Sequence, residues 1–327
     1  MPPAALRPAI EGTRTLLRRV AARTPGRRLF ERAVTELSAA LTDTVDEHRY
    51  GAAYFGRARP KADSGGVISG YVRYGRSTSN LDIAAYLVWR FLPVGRVLDI
   101  GAARGYLVEA LRDLGVDASG VEYSETAART ASPGAAGHVL QGDVLEGLPF
   151  RDEHFDVVTA FEVLEHLPPT AIPAVLGELR RVCRGYVVAT IPSFGPNPHG
   201  PDGFLDRKVR DEVLDAYRAL GAGFRGPVPE ADLYRDAAGA PVEGHLTVAS
   251  FAWWTERFAD AGLERCGALE ERMQPQLRRF GMSGTWDLYV LHAASALVPA
   301  ERLWSDAELT AAERRLRLRS RVAEPAD

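Results

Sequence analysis

The chain has 327 residues, of which 46% are hydrophobic and 25% charged, and its formal net charge is −3. That composition suits a soluble globular protein and gives no general attraction to nucleic acid or anionic lipid. Its two cysteines, Cys183 and Cys266, support neither a disulfide framework nor a cysteine-rich zinc site, and no apolar run approaches the roughly 18 residues of a membrane span.

Residues 1–50 carry Leu6, Ile10, Leu16, Leu17 and Val20 between Arg7, Arg14, Arg18, Arg19 and Arg23, the pattern of a basic amphipathic helix broken at Pro25-Gly26. Leu29, Phe30, Val34, Leu37 and Leu41 predict a second helix. A helical extension packed on the main domain is preferred over a targeting helix, because Glu11, Glu31 and Glu36 interrupt the charge. With no secretory apolar core at the N-terminus, a cytoplasmic location is expected. Residues 51–80 are rich in Gly, Ser and Tyr, including Gly70-Tyr71-Val72-Arg73-Tyr74-Gly75-Arg76, and read as a loop.

Asn80 or Asp82 can cap the next helix, which shows Ile83, Ala84, Leu87, Val88 and Phe91 on one face. Val97-Leu98-Asp99-Ile100 is then an apolar run of strand length, broken at Gly101 and Gly105. Helical spacing resumes at Leu107, Val108, Leu111 and Leu114. A strand–glycine turn–helix lets backbone N–H groups approach a nucleotide closely. The strand at Val116–Glu122 ends in an acid about 20 residues later, where such folds bind ribose hydroxyls, so Glu122 is the candidate ribose ligand.

Strands are expected at 96–101, 117–122, 137–141, 155–160 and 185–191, with helices near 105–115, 124–132 and 170–182, an alternation that implies a parallel sheet. After Pro192 the alternation stops. Residues 193–244 are turn-rich around a helical pattern at 206–220, an insertion at the carboxyl edge of the sheet that reads as a substrate lid. A helix capped at Ser250 and stopped at Gly262 follows, then strands near 264–271 and 285–293. Ser305-Asp306-Ala307-Glu308 is a capping box opening a final helix. The expected organisation is an extension and loop over 1–80, a domain over 81–298, and a terminal helix and tail over 299–327.

Five stretches in order resemble the core of a class I S-adenosylmethionine-dependent methyltransferase over residues 94–192. They are Val97–Gly105, Gly120-Val121-Glu122, Gln141-Gly142-Asp143-Val144, Phe155–Leu167 with its Glu165-His166-Leu167 end, and Leu179–Thr190. The resemblance implies a Rossmann-like, seven-stranded, mostly parallel sheet with helices on both faces and the last strand antiparallel. It implies S-adenosylmethionine as methyl-donor cosubstrate, met by Asp99, Gly101, Ala102 and Gly105 at the glycine turn and by Glu122 and Tyr123 at the ribose. Asp143 and Val144 would lie at the adenine, Phe161 at the methionine end, and Tyr74 and Arg76 near the methionine carboxylate, unless residues 51–80 are a plain linker. The middle glycine usual in the first motif is Ala103 here, so either a slightly less tight loop or a methionine end set slightly farther out is expected.

A nicotinamide-dependent oxidoreductase shares the strand–glycine–helix and the ribose acid. It predicts Gly-x-Gly-x-x-Gly, where this chain has Gly101-Ala102-Ala103-Arg104-Gly105. A non-catalytic S-adenosylmethionine-binding protein is the other alternative. Amino methylation of nucleic acid is disfavoured, because the family's Asn- or Asp-Pro-Pro-aromatic tetrapeptide is replaced by Ala160-Phe161-Glu162-Val163. A small-molecule or glycan acceptor is therefore expected, methylated at oxygen by in-line displacement. His166 and His245 are the candidate bases for an acceptor hydroxyl, each with a purely structural reading beside it. No metal ligand set is expected, and the sequence leaves the oligomeric state open.

Overall fold

A computed structural model describes residues 59–60, 68–69, 74–198, 208–235, 241, 244–282, 287–293 and 304–319. The helices expected in residues 1–50 and the tail beyond 319 lie outside the described residues. Within the expected loop 51–80, Arg59–Pro60 and Ile68–Ser69 pair as a two-residue antiparallel ribbon.

Seven strands form the sheet: β1 (Arg96–Ile100), β2 (Asp117–Glu122), β3 (Val139–Gln141), β4 (Phe155–Phe161), β5 (Cys183–Thr190), β6 (Leu263–Arg265) and β7 (Leu288–Ala293). Their spatial order is β3-β2-β1-β4-β5-β7-β6. The first five are parallel, and β7 runs antiparallel to both β5 and β6. The helices are α1 (Leu81–Phe91), α2 (Tyr106–Asp113), α3 (Glu125–Arg129), α4 (Ile172–Val182), α5 (Asp211–Leu220), α6 (Phe251–Asp260), α7 (Gly267–Arg279) and α8 (Asp306–Arg315).

Alternation along each strand fixes the two cores. Val97, Val157, Tyr186, Val188 and Val290 pack with Tyr86 of α1, Leu111 of α2 and Met273 of α7. Their neighbours Leu98, Ile100, Val158, Val187, Ala189 and Leu291 face Leu176 of α4 and Trp254 of α6 on the other side. Both faces are covered, which is why the strands read as nearly unbroken apolar runs. Ser250 caps α6 by accepting from the Trp253 N–H, and Ser305 and Glu308 form the expected capping box of α8. That last helix docks on the domain: the Trp304 and Trp89 rings stack at 3.8 Å, and Tyr86 donates to Glu313 at 2.9 Å.

Two expectations need correction, and the insertion adds a feature of its own. Residues 264–271 are not one strand: β6 ends at Arg265, and α7 takes over because Leu269, Met273 and Leu277, spaced by four, are all buried on one helix face. Asn80 holds the N-cap position of α1, but neither it nor Asp82 caps the helix through its side chain. Asn80 has a left-handed φ of 57° and no side-chain capping bond, while the Asp82 carboxylate accepts from Arg76 and Ser77. The insertion builds a small core of its own, with Val209, Leu214, Val228 and Leu233 packing against Phe194 and Val248.

Candidate functional site

A cavity of about 600 Å³ opens at the carboxyl ends of β1, β2 and β4, the position where open parallel sheets hold ligands. Strand geometry builds its polar wall. Asp99 lies in register with Thr159 of β4, and its carboxylate accepts from the Thr159 hydroxyl at 2.7 Å. Burial pushes Asp99 up to about 7, the Thr159 bond opposing and the Glu122 charge adding to the rise.

Glu122 ends β2, and its two carboxylate oxygens accept from the Ala103 N–H at 2.6 Å and the Ser124 N–H at 2.7 Å. It is thus both a wall of the cavity and the clamp of the glycine turn. Three residues of that turn are left-handed, Gly101 at φ 67°, Ala103 at 49° and Gly105 at 69°. Of the two expectations for Ala103, the turn does not take the looser form: Gly105 still donates to the Ala102 carbonyl at 2.7 Å, and Ala103 takes a conformation unfavourable for a residue with a Cβ. A Cβ on Gly101 would fall 2.5 Å from Val163.

Tyr74, Asp99, Gly101, Ala102, Glu122, Tyr123, Asp143, Val144, Phe161 and His166 all line the cavity. Asp143 caps the turn Val144–Glu146 by accepting from the Leu145 N–H at 2.9 Å, and the Tyr74 ring rests 5.4 Å from Tyr106. Two expected donor contacts are not on the wall. Arg76 is held outside it by Asp82 at 2.5 Å and Asp113 at 2.6 Å, so its charge is already matched. Gly105 works behind the wall, where a Cβ would meet Ala135 at 2.5 Å.

His245 is buried behind His166, with ring centroids 4.9 Å apart and planes at 84°. The chain returning from the insertion is pinned beneath β4, since Leu246 and Thr247 donate their N–H groups to the Glu165 carbonyl at 2.8 and 2.9 Å. Leu246 reaches the cavity, whereas no described residue of 193–244 lines it.

Glu162 is the wall residue that sequence reasoning missed. It follows β4 directly, has a left-handed φ of 54°, and is pushed up to about 7 by burial, with Lys208 opposing and Asp287 adding to the rise. Its place at the carboxyl end of a central strand was the available signal. Asp99, Glu122, Asp143 and Glu162 give the cavity four acidic side chains, and no lysine or arginine is among the described residues lining it.

Residues 98–188 match the family described as "Methyltransferase domain". A ubiquinone biosynthesis O-methyltransferase of Thiobacillus denitrificans is 33% identical over 90 residues, 26% of this chain and 39% of that protein. The protein of the same name from Maricaulis maris is 29% identical over 154 residues, 41% of this chain and 61% of that one. The matches thus span less than two thirds of either curated relative. Among solved structures, the CcbJ methyltransferase of Streptomyces caelestis is 21% identical at a TM-score of 0.44, covering 68% of this chain and 93% of that one. Residues 98–188, the stretch that matches the methyltransferase family, lie within the 94–192 over which the sequence resembles class I S-adenosylmethionine-dependent methyltransferases. Among the described residues, no helix is long and apolar enough to cross a membrane.

Proposed function

We propose that this chain transfers a methyl group from S-adenosylmethionine to an oxygen of a small-molecule or glycan acceptor. The observation that carries the reading is the charge of the wall: four acids and no lining lysine or arginine. A dinucleotide would bring two phosphates against those acids, whereas a sulfonium donor brings positive charge. Phe161, Tyr74 and Tyr123 add aromatic faces that suit a cation.

On this reading Glu122 accepts from the ribose hydroxyls, a carboxylate having room for about four hydrogen bonds of which two are taken by backbone N–H groups. Asp143 and Val144 flank the adenine. Asp99, Gly101 and Ala102 meet the methionine end, and Phe161 closes the wall beside it. The donor supplies an electrophilic methyl: the acceptor oxygen forms the new O–C bond as the S–C bond breaks, its electron pair going to sulfur and the hydroxyl proton leaving. The chain's part is to hold acceptor and methyl in line, with His166 at the acceptor oxygen and His245 packed behind it. The names of the two curated relatives support oxygen as the acceptor atom.

The test is calorimetry with S-adenosylmethionine and S-adenosylhomocysteine, followed by a mass-shift screen of metabolite extracts using labelled donor. Binding followed by a labelled, methylated small molecule is expected. Failure to bind either compound refutes the reading, and binding without transfer across a broad acceptor panel leaves a non-catalytic binding protein. Turnover of His166→Ala and His245→Ala across pH checks the histidines; loss below about threefold in both would remove a histidine base.

A further inference from the structure

Beside the cavity lies a group of side chains that methyl transfer alone does not explain. Glu165, His166 and His245 each offer one ligand atom, and the three atoms lie within 4.8 Å of one another. Glu165 Oε1 is 3.9 Å from Nε2 of each histidine. Those separations are too long for hydrogen bonds. They are close to the spacing of roughly 3.4 Å expected between donors bound about 2.1 Å from one tetrahedral ion, so small side-chain adjustments would close the set.

The carboxylate is the second, independent sign. Glu165 is 0% exposed, and neither of its side-chain oxygens has a hydrogen-bond partner among the described residues. Buried carboxylates are held by hydrogen bonds, by an opposite charge or by a metal. Of the charges around it, Glu162 adds to its negative charge and Lys208 opposes it, while neither carboxylate oxygen is met by a hydrogen-bond donor among the described residues. The backbone is also already assembled around the group. Leu246 and Thr247 donate to the Glu165 carbonyl, and the Thr247 hydroxyl donates to the Leu167 carbonyl at 2.6 Å, fixing two distant chain segments against each other.

We infer that Glu165, His166 and His245 bind one transition-metal dication at the acceptor end of the cavity. Two imidazole nitrogens and one carboxylate oxygen suit Zn²⁺, Co²⁺ or Fe²⁺ better than Mg²⁺ or Ca²⁺. Three protein ligands leave a position open. His166 lies on the cavity wall, so an acceptor oxygen entering the cavity is the ligand in reach of that position. Only this last assignment rests on the methyl-transfer reading. It gives the histidines a different task from taking a proton: a hydroxyl bound to the cation is more acidic and releases its proton to water before it attacks the methyl. The site was invisible to sequence spacing because His245 comes from the far end of the insertion.

The experiment uses the full chain stripped with a chelator and titrated with Co²⁺ under visible absorption. One equivalent per chain is expected, with d–d bands of nitrogen and oxygen ligation that vanish when Zn²⁺ displaces it. Glu165→Gln keeps the side-chain shape and should weaken Co²⁺ by at least about tenfold, as should His245→Gln. Absence of one saturable equivalent, or unchanged affinity in both variants, overturns the site. Should a variant not fold, the parent protein decides by NMR: two paramagnetically shifted imidazole sets support the site, and none refutes it. Calorimetry with S-adenosylhomocysteine on the same stripped protein separates the two readings. Donor binding without Co²⁺ binding overturns the cation site alone, and Co²⁺ binding without donor binding overturns the methyl-donor reading alone.

Discussion

Replacing Glu122 by alanine should damage the fold and the donor site together. The side chain accepts from the Ala103 and Ser124 N–H groups, and the residue is 6% exposed. Leaving a buried donor unsatisfied costs about 1–3 kcal/mol, so the two sum to roughly 2–6 kcal/mol. Because Glu122 also lines the cavity, water can replace part of the lost bonding, and the lower half of that range is expected. The lost charged bond to ribose adds about 1.5–3 kcal/mol to the binding loss, or roughly a 10- to 150-fold weaker Kd. Urea unfolding reads the first effect and calorimetry with S-adenosylhomocysteine the second. Glu122→Gln should fall between, since its amide accepts through one oxygen only. An alanine variant with an unchanged urea midpoint would refute the clamp, and unchanged affinity would refute the ribose assignment.

Ala103→Gly should raise stability by up to about 1 kcal/mol by relieving the left-handed φ of 49°, and a fall in the urea midpoint would show the alanine to be unstrained. Gly105→Ala should lower stability by more than about 2 kcal/mol, because its Cβ would lie 2.5 Å from Ala135 and 2.8 Å from Val139 at φ 69°; a normal melting temperature would count against the turn as described. Asp99 holds its proton more tightly folded than unfolded, being pushed from 3.8 up to about 7, so its contribution to stability is full at acid pH and falls as pH rises between those values. Asp99→Asn should flatten that fall, worth on the order of 4 kcal/mol at most; parallel pH profiles for parent and variant would refute it.

The central strand and its turn were legible because burial on both sheet faces leaves only one reading of Val97–Ile100 between two glycines. The caps at Ser250 and Ser305 were legible because capping is local chemistry. The pairing of Arg76 was not legible for the opposite reason: its partner Asp113 sits on α2, across a tertiary contact that no local pattern encodes. The histidine pair has the same character, each residue plain in the sequence and their 4.9 Å contact set only by the return of the insertion beneath β4. Over 267–279 the helical spacing is present in Leu269, Met273 and Leu277, but only their common burial in the fold tells a helix from the strand expected over 264–271.

Four acids around a cationic donor raise a question of degree. One ionised carboxylate about 6 Å from a sulfonium is worth roughly 3 kcal/mol at an effective dielectric of 20. That attraction favours the donor over the neutral thioether product and so helps product leave. It also stabilises the bound donor more than the transition state, in which the sulfur is already losing its charge, and binding of that kind slows transfer. The wall moderates the conflict. Asp99 and Glu162, at the ends of β1 and β4, are both pushed by burial to about 7, so each is partly protonated near neutrality. Glu122 is tied to two backbone N–H groups, which draws its charge toward the glycine turn. The cavity can thus be acidic enough to choose a cation while holding back part of the charge that would oppose the reaction.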